Sequence, residues 1–250
     1  ANTLTLRADR DININTEMFG SGTAGLALEY AQTDDSGDYF VNAPVNLAST
    51  GSFSTKKGTD ATINYTIITS LGAEGSTTGT DLQGINGNPS GNYALGADVN
   101  ASETVDWNNG LGFLPLGGDD FSGNFDGLGH SIANLHINRG PTEMIPGEND
   151  VGLFGHVFGG SIQNIHIRGG IISGGNNVGG LVGLLQGAVI KNSSADITVA
   201  GREDVGGLVG FAFFQARIQN ATAEGNVTGW RNVGGLIGRV NETAFEGLTG

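Results

Sequence analysis

Apolar residues fall at every second position through short stretches of the later chain, as in Ile132-Ala-Asn-Leu-His-Ile137 and Ile162-Gln-Asn-Ile-His-Ile167. Such alternation predicts strands with one buried face. A helical reading fails, because glycine recurs every few residues and good helix formers are sparse. Four Gly-Leu-x-Gly cores begin at Gly152, Gly180, Gly207 and Gly235, spaced 28, 27 and 28 residues apart. An Ile-x-Asn motif keeps step at Ile132/Asn134, Ile162/Asn164, Ile190/Asn192 and Ile218/Asn220. A fixed period of this length marks a solenoid, and turn-separated strands within each period fit one coil of a parallel β-helix. Identical residues then stack about 4.8 Å apart. Asn134, Asn164, Asn192 and Asn220 are expected to form a side-chain amide ladder. The Val-Gly-Gly-Leu glycines are expected to supply positive φ and to fit crowded, stacked corners.

The earlier chain is less regular, with strands expected at Thr3–Ala8, Asp11–Asn15, Leu26–Leu28, Val45–Leu47, Gly51–Phe53 and Ile63–Ile68. Alternation places Leu4, Leu6, Ile12 and Ile14 on the core side. Coils of 20–24 residues are expected here, and about ten coils in all. The organisation divides at 1–92, 93–130 and 131–250. The Gly/Ser/Thr/Asn-rich stretch 71–92 reads as a protruding loop. The aromatic-rich stretch 93–130 reads as a wider coil or an extra-helical element. Segment 140–150, with Pro141 and Pro146, also reads as a protrusion. Phe245 and Gly247 stand where the last Ile-x-Asn should be, so the ladder is expected to weaken there.

The repeats carry a family resemblance. Val178–Gly183, Val205–Gly210 and Val233–Gly238 resemble the GLUG motif of bacterial surface proteins. Phe121–Leu135, Tyr93–Asn100, Trp107–Gly117 and Leu4–Asn15 are similar to segments of filamentous-haemagglutinin-like exoproteins. The resemblance implies an all-β, right-handed parallel β-helix from inside a two-partner-secreted adhesin. It further implies secretion to a bacterial cell surface through an outer-membrane transporter, and glycan or protein partners on host or neighbouring cells. The Asn-Pro-Asn-Gly-type signature of that family's secretion domain is absent from this sequence.

Composition narrows the partners. The chain of 250 residues has 45 glycines, no cysteine and a net charge of −14 with 11 basic residues. Phosphate recognition needs clustered Lys and Arg, so nucleic acid and anionic membrane surfaces are disfavoured. No apolar run approaches the ~18 residues of a membrane span. Without cysteine, stability rests on stacking rather than on disulfides.

Candidate chemistry is sparse. His136 and His166 are expected to stack one coil apart, with Ser194 and Thr222 following; solvated strand positions are the plainer reading than a metal pair. The turn containing Asp34, Asp35 and Asp38 offers oxygen ligands for Ca²⁺ without a known calcium motif. Asp119/Asp120 and Glu148/Asp150 are similar acidic turns. Asp126 and His130 suggest an acid–histidine pair, although Asp126 beside glycines more simply caps turn amides. The outward repeat positions are Gln163, His166, Lys191, Ser194, Gln219 and Thr222, and no carboxylate pair is expected on one column. The expectation is therefore a non-enzyme without a cofactor, against a polysaccharide-active β-helix enzyme or a ligand-free spacer. Trp107, Phe113 and Trp230 are the aromatic candidates for a binding face.

Overall fold

The computed structural model describes residues 2–118, 120–140 and 149–241. Among them the chain is a parallel β-solenoid of about eight turns. A nine-stranded sheet runs its whole length, in the order Thr3–Arg7, Gly25–Tyr30, Ser52–Lys57, Ile63–Ile68, Asn92–Leu95, Asn124–Asp126, Ser161–Gln163, Val189–Lys191, Arg217–Gln219. A second sheet stacks Val99–Asn100, Ser131–Asn138, His166–Ser173, Ser194–Ala200 and Thr222–Glu224. A third stacks Phe154–Phe158, Val182–Gln186, Val209–Phe213 and Ile237–Val240, and a fourth Asn176–Gly179, Glu203–Gly206 and Arg231–Gly234.

One strand pairing runs against all the others. Phe53 pairs with Tyr65 and Thr55 with Ile63 in antiparallel register, whereas the remaining strand pairs are parallel. The chain therefore winds a first stack through residue 57, reverses, and winds a second. Each stack has its own core. The second runs from Ile68 to Ile218 through Leu153, Leu181 and Leu208, with Phe121, Phe125 and Phe154 in its wide part. The first gathers Ile12, Ile14, Leu26, Leu28, Tyr39, Val45, Leu47 and Phe53 together with Ile67, Ala94 and Leu128. Those last three lie on the outer face of the second stack, so the first stack folds back over it. The backbone seals the junction: Val45 N–H donates to the Leu128 carbonyl at 3.0 Å and Leu47 N–H to that of Gly96 at 3.0 Å.

Several expectations change. Successive rungs at Thr3, Gly25 and Ser52 are 22 and then 27 residues apart. In the second stack the step from Asn92 to Asn124 is 32 residues and from Asn124 to Ser161 is 37. These long turns, and the residues used in reversing, are why about eight turns form rather than ten. Leu4 is 50% exposed and Leu6 half-buried, because Thr3–Arg7 has a paired strand on one side only. Residues 73–81 lie mostly at the surface, but Leu71, Leu82 and Ile85 are buried in the second core beside a short 3₁₀ turn, Gln83–Gly87. Residues 141–148, Asp119, Phe245 and Gly247 lie outside the described residues.

The left-handed positions are not where glycine was expected. Asn177, Asp204 and Asn232, which precede each Val-Gly-Gly-Leu, have φ of 53°, 56° and 53°, and Asp150 has 56°. Short Asn and Asp side chains tolerate this region best among non-glycine residues. The motif glycines are selected for space instead. A Cβ on Gly207 would lie 2.2 Å from the Gly235 carbonyl oxygen, and one on Gly180 would lie 2.4 Å from that of Gly207. These left-handed residues are linked in two pairs: Asn177 Nδ2 donates to Asp150 Oδ1 at 2.7 Å and Asn232 Nδ2 to Asp204 Oδ1 at 2.6 Å.

The expected asparagine ladder has a different first member. Asn220 donates to Asn192 at 3.2 Å, Asn192 to Asn164 at 3.4 Å, and Asn164 to Asp126 Oδ1 at 3.0 Å. Asn134 belongs elsewhere and donates to Asn100 Oδ1 at 3.2 Å. The register explains this: Ile132 pairs with Ile167, while Phe125 pairs with Ile162. The Ile-x-Asn likeness had aligned two different strands.

Candidate binding cleft between the two stacks

One outward column of the second stack reads Ile67, Ala94, Asp126, Gln163, Lys191, Gln219. The first stack covers the apolar start of this column and ends against its polar middle. A cleft of about 160 Å³ opens there, lined by Tyr30, Asp38, Tyr39, Thr55, Ile63, Tyr65, Asn124, Ser161, Gln163, Val189 and Lys191. Three of the chain's four tyrosines therefore meet at one place. Tyr30 and Tyr39 meet edge to face with centroids 5.1 Å apart.

Behind the cleft, Asp126 is fully buried and its oxygens are saturated. Tyr39 Oη and Gln163 Nε2 donate to Oδ2, and Asn164 Nδ2 and the Leu128 amide donate to Oδ1. Burial pushes its carboxyl above the usual carboxylate range in spite of these donors. Burial, and next the Asp126 charge, push the Tyr39 hydroxyl well above its ordinary value, and those causes carry Tyr65 to about 12. Burial also raises Tyr30, followed by the Asp38 charge. The tyrosines are thus neutral donors and acceptors at physiological pH. Lys191 Nζ donates to Asp38 Oδ2 at 2.6 Å, which closes the rim with a neutralised pair.

The residues singled out in the sequence disperse. Asp34 accepts from the Ser36 amide at 3.0 Å and Asp38 turns to Lys191, so with Asp35 they form no convergent set. Among the described residues no three acidic or histidine side chains group to hold a metal ion. His166 pairs in register with Ser131 and Ser194, and its Nδ1 lies 2.8 Å from Ser194 Oγ; Thr222 follows in that column. His136 pairs with Ile171 instead, so the two imidazoles do not stack. Trp107 is buried and stacks on the fully buried Phe113 at 6.2 Å, which makes both part of the core. Trp230 is 81% exposed. His130 faces Asp98 at 3.3 Å and the Val45 carbonyl at 3.0 Å, away from Asp126. A carboxylate pair does share a column: Asp196 and Glu224 stand in register with Arg168.

Sequence reasoning missed Tyr30, Tyr39 and Tyr65, because the stack reversal that gathers them leaves no periodic trace. A signal was present in the outward column, where Ala94 and then Asp126 precede a run of ordinary solvent-facing residues.

The family described as the GLUG motif matches residues 174–200 and 201–228, and each match is one turn of the second stack. The chain is 32% identical over 206 residues to halomucin of Haloquadratum walsbyi (strain DSM 16790 / HBSQ001). The match covers 78% of this chain and 2% of halomucin. No solved structure matches the chain. With the solenoid, these findings make the chain a repeat-bearing structural segment similar to a small part of a far longer protein.

Proposed function

We propose that the chain is a non-catalytic, load-bearing segment of a large secreted surface protein and that it serves adhesion. The observation that carries this reading is the in-register stacking of the last three rungs of the nine-stranded sheet. Ile162, Ile190 and Ile218 occupy successive rungs of one buried column, while Gln163, Lys191 and Gln219 face outward beside them. A solenoid in which each turn contacts its neighbours transmits force along its axis and can be lengthened by adding turns. The GLUG turns and the likeness to halomucin support membership of a much longer repetitive protein. The finer placement, in a two-partner-secreted passenger exported through an outer-membrane transporter, is supported by the motifs at Leu4–Asn15 and Phe121–Leu135. The excess of acidic over basic residues supports partners other than nucleic acid. Arg168, Asp196 and Glu224 line a cleft of about 180 Å³ with Ser194 and Thr222, and this column favours an enzyme only if the two exposed carboxylates act on a sugar bond.

The test is incubation of the purified fragment with a panel of bacterial and host polysaccharides, with and without Ca²⁺, recording retention and new reducing ends. Retention without new ends is expected. Release of reducing ends makes the protein an enzyme and overturns the reading, and absence of retention removes the adhesive role.

A further inference from the structure

We infer that the cleft between Tyr30, Tyr65 and Lys191 binds one neutral pyranose unit of a glycan, an assignment that deepens the adhesive reading above and rests on it.

Size comes first. The cleft of about 160 Å³ is smaller than the roughly 300–1,000 Å³ that encloses a drug-sized ligand, so it suits a single six-membered ring. Its walls come next. Tyr30 and Tyr65 are half-buried, and with Ile63 and Val189 they offer the apolar surface that the C–H face of a sugar needs. The polar lining then matches hydroxyl groups. Asn124, Ser161 and Gln163 stand on adjacent rungs of the second stack. Ser161 Oγ donates to Asn124 Oδ1, Asn124 Nδ2 to Asn92 and Gln163 Nε2 to Asp126, which leaves Gln163 Oε1 and the Ser161 oxygen to accept and the Tyr30 hydroxyl to donate. These groups both donate and accept, as a polyol requires.

Charge decides the class. Lys191 and Asp38 neutralise each other at 2.6 Å, and Asp126 is closed off behind four donors. An acidic sugar finds no unpaired cation here, and a cationic ligand finds no unpaired carboxylate. A neutral ring takes the hydrogen bonds without breaking the ion pair. Both walls belong to packed strands, so the cleft is held open without ligand and little ordering is needed on binding. One such site is weak, at about 1 mM. In a protein that repeats the segment, the sites sum to avidity.

The test uses the fragment labelled with fluorotyrosine and observed by fluorine NMR. Methyl glucopyranoside, galactopyranoside and mannopyranoside are titrated separately, beside methyl glucuronide. Saturable shifts of the Tyr30 and Tyr65 resonances with at least one neutral pyranoside are expected, with Tyr93 unmoved as the internal control. Tyr30→Ala should weaken binding at least tenfold. Val189→Phe, a partly exposed change that fills the cleft from the other stack, should do the same while the melting temperature stays near that of the parent. No saturable shift with any neutral pyranoside overturns the proposal, as does tighter binding of the glucuronide or binding that survives both variants. If Tyr30→Ala still adheres to the retained polysaccharide, the cleft assignment fails while the adhesive reading stands. If a pyranoside saturates the cleft but no polysaccharide is retained, adhesion fails and the cleft stands.

Discussion

Lys191 and Asp38, 153 residues apart, meet at 2.6 Å where the first stack folds back on the second. With Tyr39 on Asp126 and the Val45–Leu128 backbone bond, this pair fixes how the two windings dock.

Replacing Lys191 with Met should loosen that docking without unfolding either core. The two side chains keep 30% and 27% exposure, so the pair is worth only about 1 kcal/mol. Hydrogen exchange should therefore quicken at Tyr39–Val41 and stay unchanged at Val209–Phe213. Uniform quickening throughout the chain would contradict separate cores.

The asparagine ladder makes a graded prediction at Asn192, whose φ is 48°. Asn192→Ala loses the bonds to Asn164 and Asn220 and leaves in the left-handed region a residue without the short polar side chain that eases that conformation, at a cost of about 2–3 kcal/mol. Asn192→Gly loses the same bonds but keeps the backbone relaxed, so it should be about 1 kcal/mol more stable than the alanine variant. Chemical denaturation of both variants measures the order, and the reverse order would show that the backbone carries no strain there.

Gly207→Ala should destabilise by about 1–3 kcal/mol, because the added methyl meets the Gly235 carbonyl oxygen and the Ala223 Cβ of the next turn. Gly22→Ala is the comparison. Its Cβ meets nothing within 4 Å, so any loss there comes from its φ of 60° alone. Melting temperatures separate crowding from backbone conformation.

Asp150 predicts a pH dependence. Burial raises its carboxyl above the usual carboxylate range, against the Asn177 hydrogen bond and His156. The folded chain then binds this proton more readily than the unfolded chain does. The group therefore detracts from stability above its folded pKa, and the effect vanishes below the unfolded value of about 3.9. Asp150→Asn keeps a carbonyl for Asn177 and removes the charge. The variant should be the more stable at pH 7, with the difference gone by about pH 3. A difference that grows on acidification would have the wrong sign.

Much of the second stack was legible in the sequence, because Ile162, Ile190 and Ile218 repeat at the same spacing as the buried leucines and each turn sees nearly the same environment. The register of Asn134 was not, since Ile132-Ala-Asn134 and Ile162-Gln-Asn164 look alike but lie on strands of different sheets, and similarity alone does not say which rung a strand occupies. The two Asn–Asp pairs were hidden because Asp150, Asn177, Asp204 and Asn232 alternate in residue type while sharing a backbone conformation. The cleft was illegible for another reason. Tyr30, Tyr39 and Tyr65 lie on strands of windings without a fixed period, and only the antiparallel pairing of Phe53 with Tyr65 brings them to the outward column of the second stack. Trp107 and Phe113, read both as part of a wider coil or extra-helical element and as candidates for a binding face, are buried and stacked on each other within the 32-residue step from Asn92 to Asn124.

The central claim is that the stacked turns bear load, and single-molecule stretching of the fragment between its ends tests it most directly. Distinct force peaks are expected as turns peel away, with the second-stack peaks lost when the fully buried Leu208 is changed to Asp. Smooth extension at low force, or a trace that Leu208→Asp leaves unchanged, would contradict a load-bearing solenoid.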